Sequence, residues 1–109
     1  MPEVRYEFGL LIIGNRKYHR DLIILPSGEI RDWWRREGHE VHREDLEEFL
    51  SEGVRKVLIG TGYYGRLKIS RDLEEFLREK GIELEFGKTE QIVKRLGEEK
   101  ALFALHLTC

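Results

Sequence analysis

Cysteine is nearly absent from this chain of 109 residues: Cys109 alone occurs. A lone thiol excludes an intramolecular disulfide, and a reducing, cytoplasmic setting is the expectation. The four histidines, His19, His39, His42 and His106, supply neither a C-x-x-C pair nor an H-x-x-x-H helix, so no structural metal is expected. Long hydrophobic runs are missing as well. Leu10–Ile13 and Leu22–Leu25 fall far short of the ~20 residues that span a bilayer, and "MPEVRYEF" carries charges where a secretory signal would be apolar. Charge of one sign is also lacking: 19 basic residues against 21 acidic leave a net −2, which argues against a broad nucleic-acid footprint. Side-chain amides are limited to Asn15 and Gln91 in a chain that is 37% charged, a balance that points to a thermophilic source. No Ser-His-Asp order and no nucleophile elbow appears, so nucleophilic catalysis has no support beyond the thiol.

What the sequence does hold is an ordered series of elements, expected to form one domain over residues 1–109. The even positions Val4, Tyr6, Phe8, Leu10 and Ile12 are apolar, the period-two signature of a strand with one buried face. Gly14-Asn15 supplies a hairpin turn, "HRDLIIL" returns the chain, and Pro26-Ser27-Gly28 reads as a type I turn before a third strand from Glu29 to Trp34. Beyond the polar "RREGHE" the period lengthens. Leu46, Phe49 and Leu50 predict a helix capped by His42 and closed by Gly53. "KVLIG", a glycine loop, a helix opened by Ser70 with Asp72 in its first turn and closed by Gly81, and the strand "IELEF" follow in order. A last helix is predicted from about Thr89 to Lys100, with Ile92, Val93 and Leu96 buried. "ALFALHL" is apolar on both faces and belongs in the middle of a sheet. "DLEEFL" occurs at 45–50 and again at 72–77, which suggests two tandem αβ units arising by duplication or by convergence. The class is α/β, a mixed sheet with an N-terminal antiparallel meander and about three helices.

In "VLIGTGYYGR", Gly60, Gly62 and Gly65 spell the G-x-G-x-x-G of a dinucleotide-binding turn, and Glu85 stands 20 residues past Gly65, where a ribose-binding acid would sit. Against that reading, Arg66 to Ile69 separate the last glycine from the Ser70 cap, so the helix amides start too late to meet a diphosphate. Tyr63 and Tyr64 also crowd the turn. The glycines are therefore expected to bend the chain out of the sheet, with no cofactor. His106 reads either as a core imidazole with a carboxylate partner or as a working group. Asp21, interrupting a strand, is a candidate partner for a histidine or for backbone amides, or a plain surface acid. "RDWWRREGH" sets Trp33 and Trp34 among Arg31, Arg35 and Arg36. Alternation sends one indole inward and leaves the other for an interaction patch, which Arg66 and Lys68 would extend into an anion-binding surface.

Taken in order, "FGLLIIGNRKYHRDLIILPSG", "RDWWRREGH", "VLIGTGYYGRL" and the terminal "ALHLTC" resemble the Mth-nine-three-eight-type domain family, found in archaeal and bacterial proteins, in the adipogenesis-associated domain protein of animals and in a mitochondrial complex I assembly factor. The resemblance covers essentially the whole chain. It implies a three-layer α/β fold with a mixed central sheet and no established catalytic activity. Asp21, Gly60, Gly62, Gly65, His106, Thr108 and Cys109 match the family's recurrent motifs, whereas Val93-Lys94-Arg95 replaces a Tyr-Asn pair common in relatives. Two functions follow as expectations. One is a non-catalytic domain, monomer or weak homodimer, that binds an unknown protein partner through Trp33, Trp34, Arg35, Arg36 and the Gly60 to Arg66 loop. The other is a small-molecule or anion site, or weak enzyme, gathering Asp21, Tyr63, Arg66, His106 and Cys109.

Overall fold

The alternation that promises one strand from Val4 to Ile12 breaks at Gly9. A computed structural model describes residues 2–51 and 53–109; readings placed on Met1 and on Glu52, the start of the chain and the end of the first expected helix, lie outside them. Gly9 takes a φ of +74° and closes a two-residue turn with Phe8, so β1 (Val4–Glu7) and β2 (Leu10–Ile13) pair antiparallel, Glu7 opposite Leu10. Gly14-Asn15 makes the second hairpin as the spacing predicts, with Ile13 opposite Arg16. The return strand is β3 (Arg16–Tyr18), earlier than expected. The apolar run that follows leaves this meander: β4 (Leu22–Ile24) enters a separate five-stranded sheet. Gly28 N–H donates to the Leu25 carbonyl at 2.8 Å, closing the proline turn, and β5 (Ile30–Asp32) pairs with β4 over a shorter span than predicted.

The first expected helix is replaced by two 3-10 turns, Arg43–Asp45 and Glu47–Phe49. Their cause is a competing hydrogen bond. The Asp45 carbonyl, which an α-helix would offer to the amide four residues on, accepts the Trp33 indole N–H at 3.0 Å, and Phe49 N–H turns to the Leu46 carbonyl at 2.9 Å. The second copy of "DLEEFL" has no such competitor among the described residues. It lies in α1 (Arg71–Glu79), where the Ser70 hydroxyl accepts the Leu73 amide, Leu73, Phe76 and Leu77 are buried, and Gly81 closes the end at φ +71°. The last helix is also corrected. It is one α turn, α2 (Thr89–Ile92), and a 3-10 turn, Val93–Arg95; at Leu96 the backbone extends, and Gly97 takes φ +99°.

Between these pieces run β6 (Glu40–Val41) and β8 (Lys68–Ile69), a parallel pair, with β7 (Lys56–Thr61), β9 (Glu83–Gly87) and β10 (Ala101–His106). The five-stranded order is β5-β4-β10-β7-β9, with β10 antiparallel to β4 and parallel to β7. The doubly apolar segment thus takes the central place its pattern demands. Alternation divides its neighbours between two cores. Val57, Ile59, Leu102 and Ala104 pack with Trp33, Leu46 and α1. Leu58, Phe103 and Leu105 face Leu11, Ile92 and Val93, which come from the meander, α2 and the 3-10 turn after it. The result is a three-layer α/β fold with a mixed central sheet and, among the described residues, two α-helices and short 3-10 turns. Among the described residues, no helix is long and apolar enough to cross a membrane.

Candidate functional site

β7 and β10 run parallel and end side by side at Thr61 and His106, so everything that follows each strand meets at one edge of the sheet. After Thr61, Gly62 adopts φ +105° and Gly65 φ +73°, and the chain passes through β8 before α1 begins at Arg71. The glycines form a corner, and the helix starts well beyond them. The corner is filled by the chain itself. Tyr63 N–H donates to the Thr108 carbonyl at 2.7 Å and Arg66 N–H to the Cys109 carbonyl at 3.2 Å. A methyl on Gly62 would stand 2.6 Å from the Thr108 carbonyl oxygen and 2.7 Å from the Cys109 carbonyl carbon. Those amides, which a diphosphate would require, are spent on the C-terminal segment. Glu85 does not serve a ribose either, because Arg95 and Lys56 hold its carboxylate and pull its pKa down to about 2.

Thr89, fully buried, ties the same corner together. Its hydroxyl accepts the Gly62 amide at 2.9 Å and donates to the His106 carbonyl at 2.6 Å. Gly60 must be glycine for that reason: a Cβ there would lie 2.7 Å from the Thr89 Oγ1. Nothing in the sequence reading singled out Thr89. Its signal is its place directly after the strand that neighbours the glycine loop.

Asp21 and His106 meet, 85 residues apart in sequence. Asp21 stands just before β4 and His106 ends β10, which pairs with it, so the sheet brings the two ends together. His106 Nδ1 lies 2.6 Å from Asp21 Oδ2, Arg35 Nη1 donates to the same oxygen at 2.7 Å, and Leu107 N–H donates to Oδ1 at 2.8 Å. Arg35 Nη2 also stands 3.2 Å from Nδ1. Placing the imidazole proton on Nδ1 satisfies the shorter contact and leaves the arginine contact as charge beside dipole. Burial pushes the Asp21 carboxyl up, but the hydrogen bonds from His106, Leu107 and Arg35 outweigh it and hold its pKa below the ordinary range. Tyr6 completes the wall. Its hydroxyl donates to the Leu107 carbonyl at 2.7 Å, and burial foremost raises its pKa to about 12, so the phenol keeps its proton at neutral pH.

The expected Trp33–Arg36 surface divides. Trp33 is core, 4% exposed, and Trp34 projects into solvent at 79%, as alternation requires. Arg35 is not a surface cation: its side chain is 7% exposed, its guanidinium sits 4.6 Å over the Trp33 ring, and it donates to the Gly38 carbonyl. Arg36 stays outside and pairs with Glu44. Cys109 is half-buried.

A second set of side chains gathers on the outside of the corner. Phe8, from the β1–β2 turn, stands edge-on to Tyr63 at 5.8 Å and 6.2 Å from Tyr64, and Tyr63 meets Tyr64 edge-on at 5.1 Å. The Arg66 guanidinium lies 5.4 Å over the Tyr64 ring. The turn that carries Phe8 is pinned by Gly9 N–H, which donates to the Leu107 carbonyl at 2.8 Å. The sequence pattern puts Phe8 inside a strand and Tyr64 within the Gly60 to Arg66 interaction loop; Gly9 is the available sign of the turn that brings Phe8 to that loop.

This architecture recurs in solved structures. A conserved hypothetical protein from Pyrococcus horikoshii, a thermophile, superposes with a TM-score of 0.89 at 27% identity, over 98% of this chain and 99% of that one. A protein named MT938 gives 0.78 at 22% identity with both chains covered completely. A protein described as an outer membrane protein from Bartonella henselae gives 0.77 at 23%, over 96% of this chain and 92% of that one. The latter two likenesses bear on the fold alone. A family model described as "Protein of unknown function (DUF498/DUF598)" matches residues 4–98, in keeping with the resemblance carried by the motifs.

Proposed function

This chain belongs to that family of proteins of unknown function, and on that footing we propose that it is a non-catalytic interaction domain that helps assemble a larger protein complex. One observation carries the reading. Among the described residues, five large hydrophobic ones are exposed, Phe8, Trp34, Tyr63, Tyr64 and Phe86, and three of them touch one another on the glycine corner. Clustered rings beside an arginine have the composition of binding hot spots, since aromatic groups bring large area at low entropic cost. The surface is presented rigidly, because the turns beneath it are hydrogen-bonded to the C-terminal segment. Its partner is a protein segment with apolar anchors for the rings and a carboxylate for Arg66. Cytoplasmic residence belongs to the same reading, supported by the single thiol.

The test is recovery from native extract with wild-type protein and with the double variant Phe8→Ser, Tyr64→Ser, whose exposed positions leave the fold intact by circular dichroism. A protein retained by the wild type and lost with the variant supports the proposal. Equal recovery with both, or none with either, overturns it. Sedimentation of the free domain is expected to show a monomer or weak homodimer.

A second reading, a small-anion site at Asp21, Arg35 and His106, has its own support: among the described residues, the buried Arg35 Nε is the side-chain atom left with no hydrogen-bond partner. Phosphate or acetate seated there would move the Arg35 Nε–H resonance and raise the thermal midpoint. If neither moves, that reading falls and the aromatic surface stands alone.

A further inference from the structure

We infer that Glu37, Glu40 and His42 form a binding site for a divalent transition cation of the zinc class. Their ligand atoms all lie within 4.8 Å of one another. His42 Nε2 stands 2.8 Å from Glu37 Oε2 and 3.3 Å from Glu40 Oε1. The ring offers one N–H at that nitrogen, which serves one carboxylate and leaves the other surplus. On its far side the ring turns Nδ1 toward Asp72 Oδ1, 3.6 Å away, the arrangement in which an outer carboxylate orients a metal-bound histidine. Among the described residues, no lysine or arginine forms an ion pair with Glu37, Glu40 or Asp72: Arg36 is engaged by Glu44 and Arg43 by Glu47. Lys68 is in register with Glu40 across β6 and β8 yet does not pair with it. Three carboxylates therefore converge on one imidazole with no lysine or arginine paired to them.

The donors are held in place before any ion arrives. Glu37 and Glu40 bridge across one tight turn, and His42 lies two residues on, on the same side of the strand. Buried Asp45 clamps both ends, accepting the Arg36 amide at 3.2 Å and the His42 amide at 2.8 Å. Arg35 anchors the middle through the Gly38 carbonyl. One nitrogen and two carboxylates suit zinc, cobalt or nickel, with water completing the coordination. The ligands read E-x-x-E-x-H, which the search for paired cysteines or histidines passes over.

Zn2+ alone is the probe, titrated calorimetrically into the full chain while the histidine ring nitrogens are followed by NMR. One saturable site is expected, with the His42 Nε2 resonance moving and those of His19, His39 and His106 still. Affinity should fall at least tenfold in Glu37→Gln and His42→Gln and about tenfold in Asp72→Asn. Glu37 is exposed, so its variant keeps the test decisive if His42→Gln unfolds. No saturable binding up to millimolar zinc, binding unchanged in Glu37→Gln, or binding abolished by Cys109→Ser would overturn the assignment.

Discussion

Asp21 accepts three hydrogen bonds from groups that nothing else in the corner can satisfy equally well. Replacing it by asparagine leaves the nearly buried Arg35 guanidinium without its counter-charge, and such a loss costs about 3 kcal/mol or more. The pH dependence has a definite sign. The folded-state Asp21 pKa is depressed, so in acid the unfolded chain binds the proton that the native state refuses. The stabilisation is complete above the ordinary aspartate value of about 3.9 and is lost as pH falls through the lower native value. Urea titrations should therefore show the full gap between wild type and Asp21→Asn at pH 7 and a narrower one at pH 3; equal gaps would mean that the charge is not what matters. An aspartate interrupting a strand announces that it needs a partner, which is why its need for a histidine or backbone amides was legible in sequence. Arg35 was not, because an arginine is buried only when a carboxylate and an aromatic face arrive from elsewhere in the fold.

Two identical hexapeptides with different backbones set out how elements are decided. "DLEEFL" carries one intrinsic preference, yet it makes 3-10 turns where Trp33 captures the Asp45 carbonyl and an α-helix where Ser70 caps it. Periodicity reports a buried face; it does not report a side chain from another element claiming the helix's own acceptor. Ser70→Ala should accordingly cost about 1 kcal/mol, measured by denaturant unfolding. The glycine corner was legible because the distance from Gly65 to the cap is a sequence fact, whereas the C-terminal segment that fills it was hidden by its separation along the chain. Gly62→Ala should cost about 2 kcal/mol and release the Tyr63 and Arg66 amides to hydrogen exchange. Gly28 supplies the comparison, since it too has positive φ, +95°, but a methyl there meets nothing within 4 Å. Its alanine variant should be milder and leave those amides protected.

At the scale of the whole molecule, a layered α/β sheet was legible from the change of hydrophobic period, but the ends of the sheet were not. Each end is closed differently. The ends of β7 and β10 are sealed by backbone hydrogen bonds, while charges cluster around the start of β7. There Lys56 meets Glu83, Glu85 and Glu98, and Arg95 meets Glu85 and Glu98, joining β7, β9 and the turn after α2. Isolated exposed pairs contribute little at room temperature. A shared network behaves differently on heating, because the cost of dehydrating charges falls as temperature rises. That behaviour would match the abundance of charge, the scarcity of amides and the likeness to a Pyrococcus protein. The wild-type thermal midpoint is therefore expected above the ~45–65 °C of mesophilic domains. Lys56→Gln, which removes the cation common to three glutamates, should lower that midpoint clearly while changing urea stability at 25 °C only slightly. A variant equally weakened by both measures would place the lysine's contribution in packing of its aliphatic stem, and a mesophilic midpoint for the wild type would detach the charged composition from heat altogether.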